Sequence, residues 1–214
     1  MKMIRMASLA LATSLFVSPL ALTATSFASY AQADEKADAA TELVDRLGKE
    51  AVKLLADDSK DVSQKRAEFD RLLARDFDMR LIGRFVLGKN WRQATEEERE
   101  EYLTVFQDYI VNTYQKRIGE YSGENLNILK AKELNSKEQL VNSEIIRPNG
   151  PAIKLDWRVR RNKAGELKIV DIIVENVSMA LTHREEFSAV ISSNGGKISS
   201  LIDKLKSHLE DTKS

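Results

Sequence analysis

Few residues in this chain have the types and spacing that chemistry demands. It has 214 residues with two histidines and no cysteine, which excludes thiol catalysis, disulfides and Cys-ligated metals. His183 follows Thr182, whose spacing to Glu185 predicts a capping box at a helix start. His208 falls in the last turn of a C-terminal helix, where a cationic imidazole would complement the helix dipole. No His-Glu-x-x-His, Gly-x-Ser-x-Gly, phosphate-loop or dinucleotide fingerprint occurs. Two strand acids remain. Asp156 lies by alternation on a charged face and is expected to be solvated. Asp171 shares a face with Ile169 and Ile173, and reads as a hydrogen-bonded structural acid or, alternatively, a general base. Arg158, Arg160, Arg161 and Lys163 form the densest basic cluster. They mark a solvated hairpin end, or a docking site for an acidic surface or lipid head groups. No catalytic residue, metal site or cofactor is nominated.

The elements that would position these residues change period halfway along the chain. Leu43, Val44, Leu47, Ala51, Leu54 and Leu55 recur at helical spacing within residues 38–56, and a second helix is expected over 62–75 with Phe69, Leu72 and Leu73 inward. A shorter helix over 79–86 should end at Gly88. Thr95 and Glu98 then make a capping box, and Leu103, Phe106, Ile110 and Tyr114 follow as a stripe spaced by three and four. After Gly123 the period falls to two. The stretches "LNILKAKEL", "QLVNSEIIR", "AIKLDWRVRR" and "ELKIVDIIVENV" read as four strands, joined by short linkers of turn composition into an antiparallel meander. In the third, Ile153, Leu155, Trp157 and Val159 share a dry face. In the fourth, Val170, Ile172 and Val174 share one face. Two helices close the chain, from Thr182 and over 197–209. The fold class is α+β: N-terminal helices, a four-stranded antiparallel sheet and two C-terminal helices, able to clasp the sheet around a hollow. Tyr102, Phe106, Tyr109, Tyr114 and Trp157 suit a core on pattern alone.

Composition narrows the setting. At 43% hydrophobic and 31% charged, the chain is too apolar for disorder and too polar for a polytopic membrane protein. "MKMIRM", a following apolar run, and Ala31 and Ala33 before Asp34 read as a secretory signal peptide over residues 1–33, cleaved after Ala33, leaving a single domain over 34–214. Removing residues 1–33 takes away Lys2 and Arg5 and no acid, leaving 31 basic against 33 acidic residues. No nucleic-acid partner is expected from that balance.

"VLGKNWRQATEEEREEYLTVFQDYIVNTY", "NGPAIKLDWRV", "KIVDIIVENVSM" and "EEFSAVISSNGGKISSLIDKLK", in that order, resemble the periplasmic MlaC family, also called toluene-tolerance phospholipid-binding proteins. Where the family commonly has Glu-Gly-Val-Ser, this chain has Glu175-Asn176-Val177-Ser178; Asn tolerates positive φ best among non-glycine residues. The resemblance implies helices around a sheet with a deep apolar pocket, and a carrier of phospholipid cargo across the periplasm. Its implied partners are an inner-membrane ABC lipid transporter complex and an outer-membrane lipoprotein–porin complex, serving outer-membrane lipid asymmetry. A monomer is expected. The pocket wall is then assigned to Phe85, Phe106, Ile110, Tyr114, Ile153, Leu155, Trp157, Val159, Val170, Ile172 and Val174, with Arg147, Arg158, Arg160 and Arg161 as partner or head-group contacts. The rival readings are a small isomerase- or dehydratase-like enzyme built on Asp171, and an envelope adaptor acting through its surface over a filled core.

Overall fold

The computed structural model describes residues 24–118 and 121–211. The expected signal peptide falls largely on residues outside that range, and its cleavage site lies within the first helix. Helices α1 (Ala24–Leu55), α2 (Val62–Asp76), α3 (Met79–Leu87) and α4 (Glu96–Ile118) precede strands β1 (Asn125–Asn135), β2 (Glu138–Ile146), β3 (Ile153–Arg161), β4 (Leu167–Val174) and β5 (Val177–Ser178). Helices α5 (Met179–Ser193) and α6 (Ile198–Asp211) close the chain. The strands form one antiparallel sheet in sequence order.

Local chemistry sets most of these boundaries. Asp61 and Gln64 make a reciprocal capping box at α2, and Asp78 caps α3 through the Leu81 N–H (2.9 Å). Gly88 ends α3 at φ 61, a conformation that glycine adopts without steric cost. The Thr95–Glu98 capping box is present at α4, with Glu98 N–H donating to Thr95 Oγ1 (3.1 Å) and Thr95 N–H to Glu98 Oε2 (2.9 Å).

Two expectations are corrected. The predicted fourth strand is two strands, because Glu175 (φ 47) and Asn176 (φ 68) make a tight turn and send Val177–Ser178 back along β4. Helix α5 starts at Met179, not Thr182: Ser178 accepts the Leu181 N–H (3.1 Å), and Thr182, already one turn inside, donates its hydroxyl to Ser178 O (3.0 Å).

Two apolar cores result. One lies among α3–α6, around Val86, Leu87, Tyr102, Phe106, Phe187, Ile191 and Leu201. Rings in it meet edge-on, as Tyr102 and Phe106 do against Phe187 at 6.4 and 6.2 Å. The other lies between α1 and the sheet, joining Ala40, Leu43, Val44 and Leu47 to Val141, Leu155, Trp157, Val159 and Ile169. At Gly48 the helix comes so close to β1 that a Cβ would sit 2.5 Å from Leu126 Cδ2. Helices α1 and α2 are tied by Asp76, buried at 2% exposure, which accepts from Arg46 (2.5 Å) and Arg75 (2.6 Å), while Arg75 also pairs with Glu50 (2.8 Å).

Candidate functional site: an apolar cavity between the two cores

Where the two cores meet they do not close, leaving a cavity of about 380 Å³, within the size range of small-molecule sites. Each wall follows from sequence period. Helix α1 presents Leu47, Ala51, Leu54 and Leu55, and α2 presents Phe69, Leu72 and Leu73, both one-face helical spacings. Phe77, Met79 and Ile82 come from the α2–α3 corner, held against the sheet by the Asp78 N–H to Ile169 O bond (3.0 Å). Phe106, Ile110 and Tyr114, spaced by four, come from α4, and Met179, Ala180 and His183 from α5. The sheet supplies Ile145, Leu155, Trp157, Ile172 and Val174; Trp157 pairs with Ile172 and Leu155 with Val174, so these four side chains share one face.

Two of the polar side chains on this wall, Trp157 and Asp171, are turned to structural use, whereas the buried Nε2 of His183 meets no hydrogen-bond partner among the described residues. Trp157 Nε1–H donates to Ser143 Oγ (3.0 Å), whose hydroxyl donates to Leu155 O (2.5 Å), leaving the indole ring as apolar wall. Asp171 accepts the Ser178 hydroxyl (2.6 Å) and the Ala180 N–H (3.1 Å), which ties the start of α5 to β4. His183 Nδ1 faces Glu186 Oε2 at 3.3 Å, and its ring packs edge-on against Tyr109 (5.9 Å), whose phenol burial pushes above its ordinary pKa. Asp171 thus holds the structural role expected of it. Among the described residues no cluster of three His, Asp or Glu is placed to bind a metal.

Of the residues assigned from the sequence, Phe106, Ile110, Tyr114, Leu155, Trp157, Ile172 and Val174 line the cavity. The other four lie elsewhere. Phe85 is 41% exposed under the Arg184 guanidinium (5.0 Å). Val159 is sealed in the α1–sheet core, and Ile153 is half-buried near the start of β3. Val170 is the extra residue of a β-bulge: Arg158 pairs with Asp171 and Val159 with Ile169, so strict alternation fails there. The bulge moves Ile169 onto the dry face with Ile172 and Val174.

None of the basic candidates lines the cavity, though Arg158 Nη1 lies 4.0 Å from Asp171, which does. Arg158 and Arg160 both clasp Glu138 (2.8 and 2.6 Å), Arg161 donates to Gly165 O (2.5 Å), and Arg147 donates to Pro151 O (2.6 Å). Asp156 is buried at 4% exposure, contrary to the expectation of a solvated acid. Its cross-strand neighbours Asn142 and Ile173 flank it, and Lys154 Nζ lies 3.4 Å from it. Sequence reading left α1 and α2 out of the wall, although their stripes were visible in it, and took Phe85 from α3 where the structure uses Met79 and Ile82. Which of a helix's apolar residues face a hollow and which fill a core is decided only by packing.

Fold and cavity define the class first: a small α+β domain wrapped around an apolar hollow. The chain belongs to the MlaC protein family, whose sequence model matches residues 39–207. It is 28% identical over 133 residues to the intermembrane phospholipid transport system binding protein MlaC of Haemophilus influenzae, spanning 60% of this chain and 61% of that protein. Over 112 residues it is 23% identical to the toluene tolerance protein ttg2D of Pseudomonas putida, spanning 52% of each. The match therefore spans only about half to three-fifths of these curated relatives. A solved phospholipid-binding protein from Ralstonia solanacearum, in complex with a phospholipid, superimposes with a TM-score of 0.71 at 19% identity, covering 82% of this chain and 99% of that one. At that identity the likeness establishes the α+β fold.

Proposed function

We propose that this protein is a periplasmic phospholipid carrier, which holds acyl chains in its cavity and passes lipid between outer-membrane and inner-membrane transport complexes. The observation that carries the reading is the cavity itself, walled by apolar side chains from α1 to α5 and three strands, with Trp157 and Asp171 bonded internally. Each acyl CH₂ exposed to water costs about 0.8 kcal/mol, so some 30 of them cost on the order of 20 kcal/mol. Free lipid therefore does not cross an aqueous compartment at a useful rate. A carrier needs apolar walls in place of bilayer contacts and makes or breaks no bond, which suits a cavity whose one carboxylate, Asp171, is occupied in holding α5. The names of the Haemophilus relative and the lipid-bound Ralstonia structure support the same cargo. Among the described residues no helix is long and apolar enough to cross a membrane.

The test is native mass spectrometry of protein purified from periplasm without detergent, followed by lipid extraction. A stoichiometric mass increment that extracts as phospholipid is expected. A bare mass that stays unchanged after incubation with phospholipid vesicles sinks the proposal.

A further inference from the structure

Leu55 lines two hollows: the apolar cavity, and a separate polar recess of about 320 Å³ bounded by Ala56, Asp58, Lys65, Tyr121, Ser122 and Gly123. The recess sits where α1 ends, α2 begins and the chain enters β1. Lys65 stands one helical turn before Phe69 on α2, so a single helix face carries an ammonium at the recess and an aromatic ring in the cavity. Lys65 Nζ donates to Leu55 O (2.8 Å), which fixes the ammonium at the residue shared by both hollows. It forms no ion pair with a described carboxylate: Asp57 and Glu68 are engaged by Lys60 at 2.5 and 3.6 Å, and Asp58 shares the recess without pairing with it. A half-buried ammonium with one of its three donors committed retains capacity for an anion. The arginines Arg158 and Arg160, by contrast, share Glu138 on the sheet, and Arg158 also lies 4.0 Å from Asp171.

Resting on the carrier reading, we propose that this recess is a head-group subsite, in which Lys65 receives the phosphodiester of a glycerophospholipid whose chains enter the cavity beside Leu55. Asp58, on the same rim, offsets the charge of Lys65, so a dianionic phosphate monoester is disfavoured and a singly charged phosphodiester would be held by the free donors of the ammonium. The ligand class is a diacyl lipid with a phosphodiester head group. Lipids with the same chains and no phosphate lose the contact to Lys65.

The experiment loads delipidated full-length protein from phosphatidylcholine vesicles carrying phosphatidylglycerol and diacylglycerol with the same acyl chains. Native mass spectrometry then reads the ratio of bound phospholipid to bound diacylglycerol, corrected for their ratio in the vesicles. Wild type is expected to favour phospholipid, and Lys65→Met to lower the ratio by about tenfold, the scale of one charge-assisted hydrogen bond. Lys65→Arg, which keeps the charge and the donors, should restore it. Equal ratios in wild type and Lys65→Met, with both proteins folded and loaded, would reduce Lys65 to a helix cap and overturn the proposal. Saturable binding of inorganic phosphate that leaves the lipid ratio unchanged would assign the recess to free phosphate, with the same consequence. Should wild type take up neither lipid, the carrier reading itself falls, a result distinct from loss of selectivity alone.

Discussion

At the scale of single residues, the cavity wall works by what it lacks. Ile172 stands opposite Trp157 on the face that lines the hollow, with no charged partner arranged for it. An Asp there would place a carboxylate against apolar walls, at a cost of several kcal/mol unless it took up a proton. Ile172→Asp is expected to abolish lipid loading in native mass spectra while circular dichroism still reports a folded chain; a folded variant that loads normally would remove this face from the site. Asn176 is a residue-scale case of a different kind. Its φ of 68, after Glu175 at 47, costs about 1–2 kcal/mol for a branched side chain and far less for Asn. Asn176→Val should therefore lower unfolding stability by about that amount in denaturant titrations, whereas Asn176→Gly should change it by less than about 1 kcal/mol. A neutral Asn176→Val would mean that the turn can relax elsewhere. The residue types at this turn were legible in the sequence, since Asn tolerates such a bend. Their consequence, a fifth strand, was not, because only Val177 and Ser178 follow the turn before the next helix, too short a stretch for alternation to show.

At the scale of elements, β2 and β3 are joined by more than their ladder. Glu138 is buried at 3% exposure between Arg158 and Arg160. Burial pushes its carboxyl upward, but the Arg158 hydrogen bond and the charges of both arginines outweigh that, so its pKa lies below the ordinary 4.5. A folded-state value below the unfolded one stabilises the protein above about pH 4.5, and this contribution is lost as pH falls through the folded value. Melting temperatures measured from pH 6 down to pH 3 should therefore fall more steeply for wild type than for Glu138→Gln; parallel curves would show that the arginines bind the neutral side chain equally well. Periodicity located most of these elements, because core stripes at 3.6 and alternation at 2 are imposed by the backbone itself. The start of α5 and the faces of β4 escaped it. Ser178 outcompetes Thr182 as cap because the chain leaves β5 there with Asp171 waiting to accept the Ala180 N–H. The bulge at Val170 breaks alternation with no mark in composition. Both depend on contacts between segments, which no local window contains.

At the scale of the whole molecule, the hollow exists because two cores, each assembled from segments in both halves of the chain, share a boundary. Phe106 and Ala180 belong to the helical core, and Leu47, Leu155 and Trp157 to the α1–sheet core, yet all five line the cavity. Each core is sealed by its own contacts, so the space between can stay unfilled without either collapsing, and its wall atoms lack partners on one side until a ligand supplies them. Filling that space should stabilise the fold, since a ligand bound only by the native state raises the melting temperature in proportion to ln(1 + [L]/Kd). The same argument makes transport measurable. Donor vesicles containing a deuterated phospholipid and unlabelled acceptor vesicles exchange slowly alone, because each departure exposes acyl chains at on the order of 20 kcal/mol. Protein that replaces water contacts with wall contacts lowers that cost, so the exchange rate should rise linearly with protein concentration, and Ile172→Asp should leave it at the spontaneous rate. Exchange that ignores wild-type protein would mean the cavity holds its ligand without releasing it, and the carrier would have to be redrawn as a receptor.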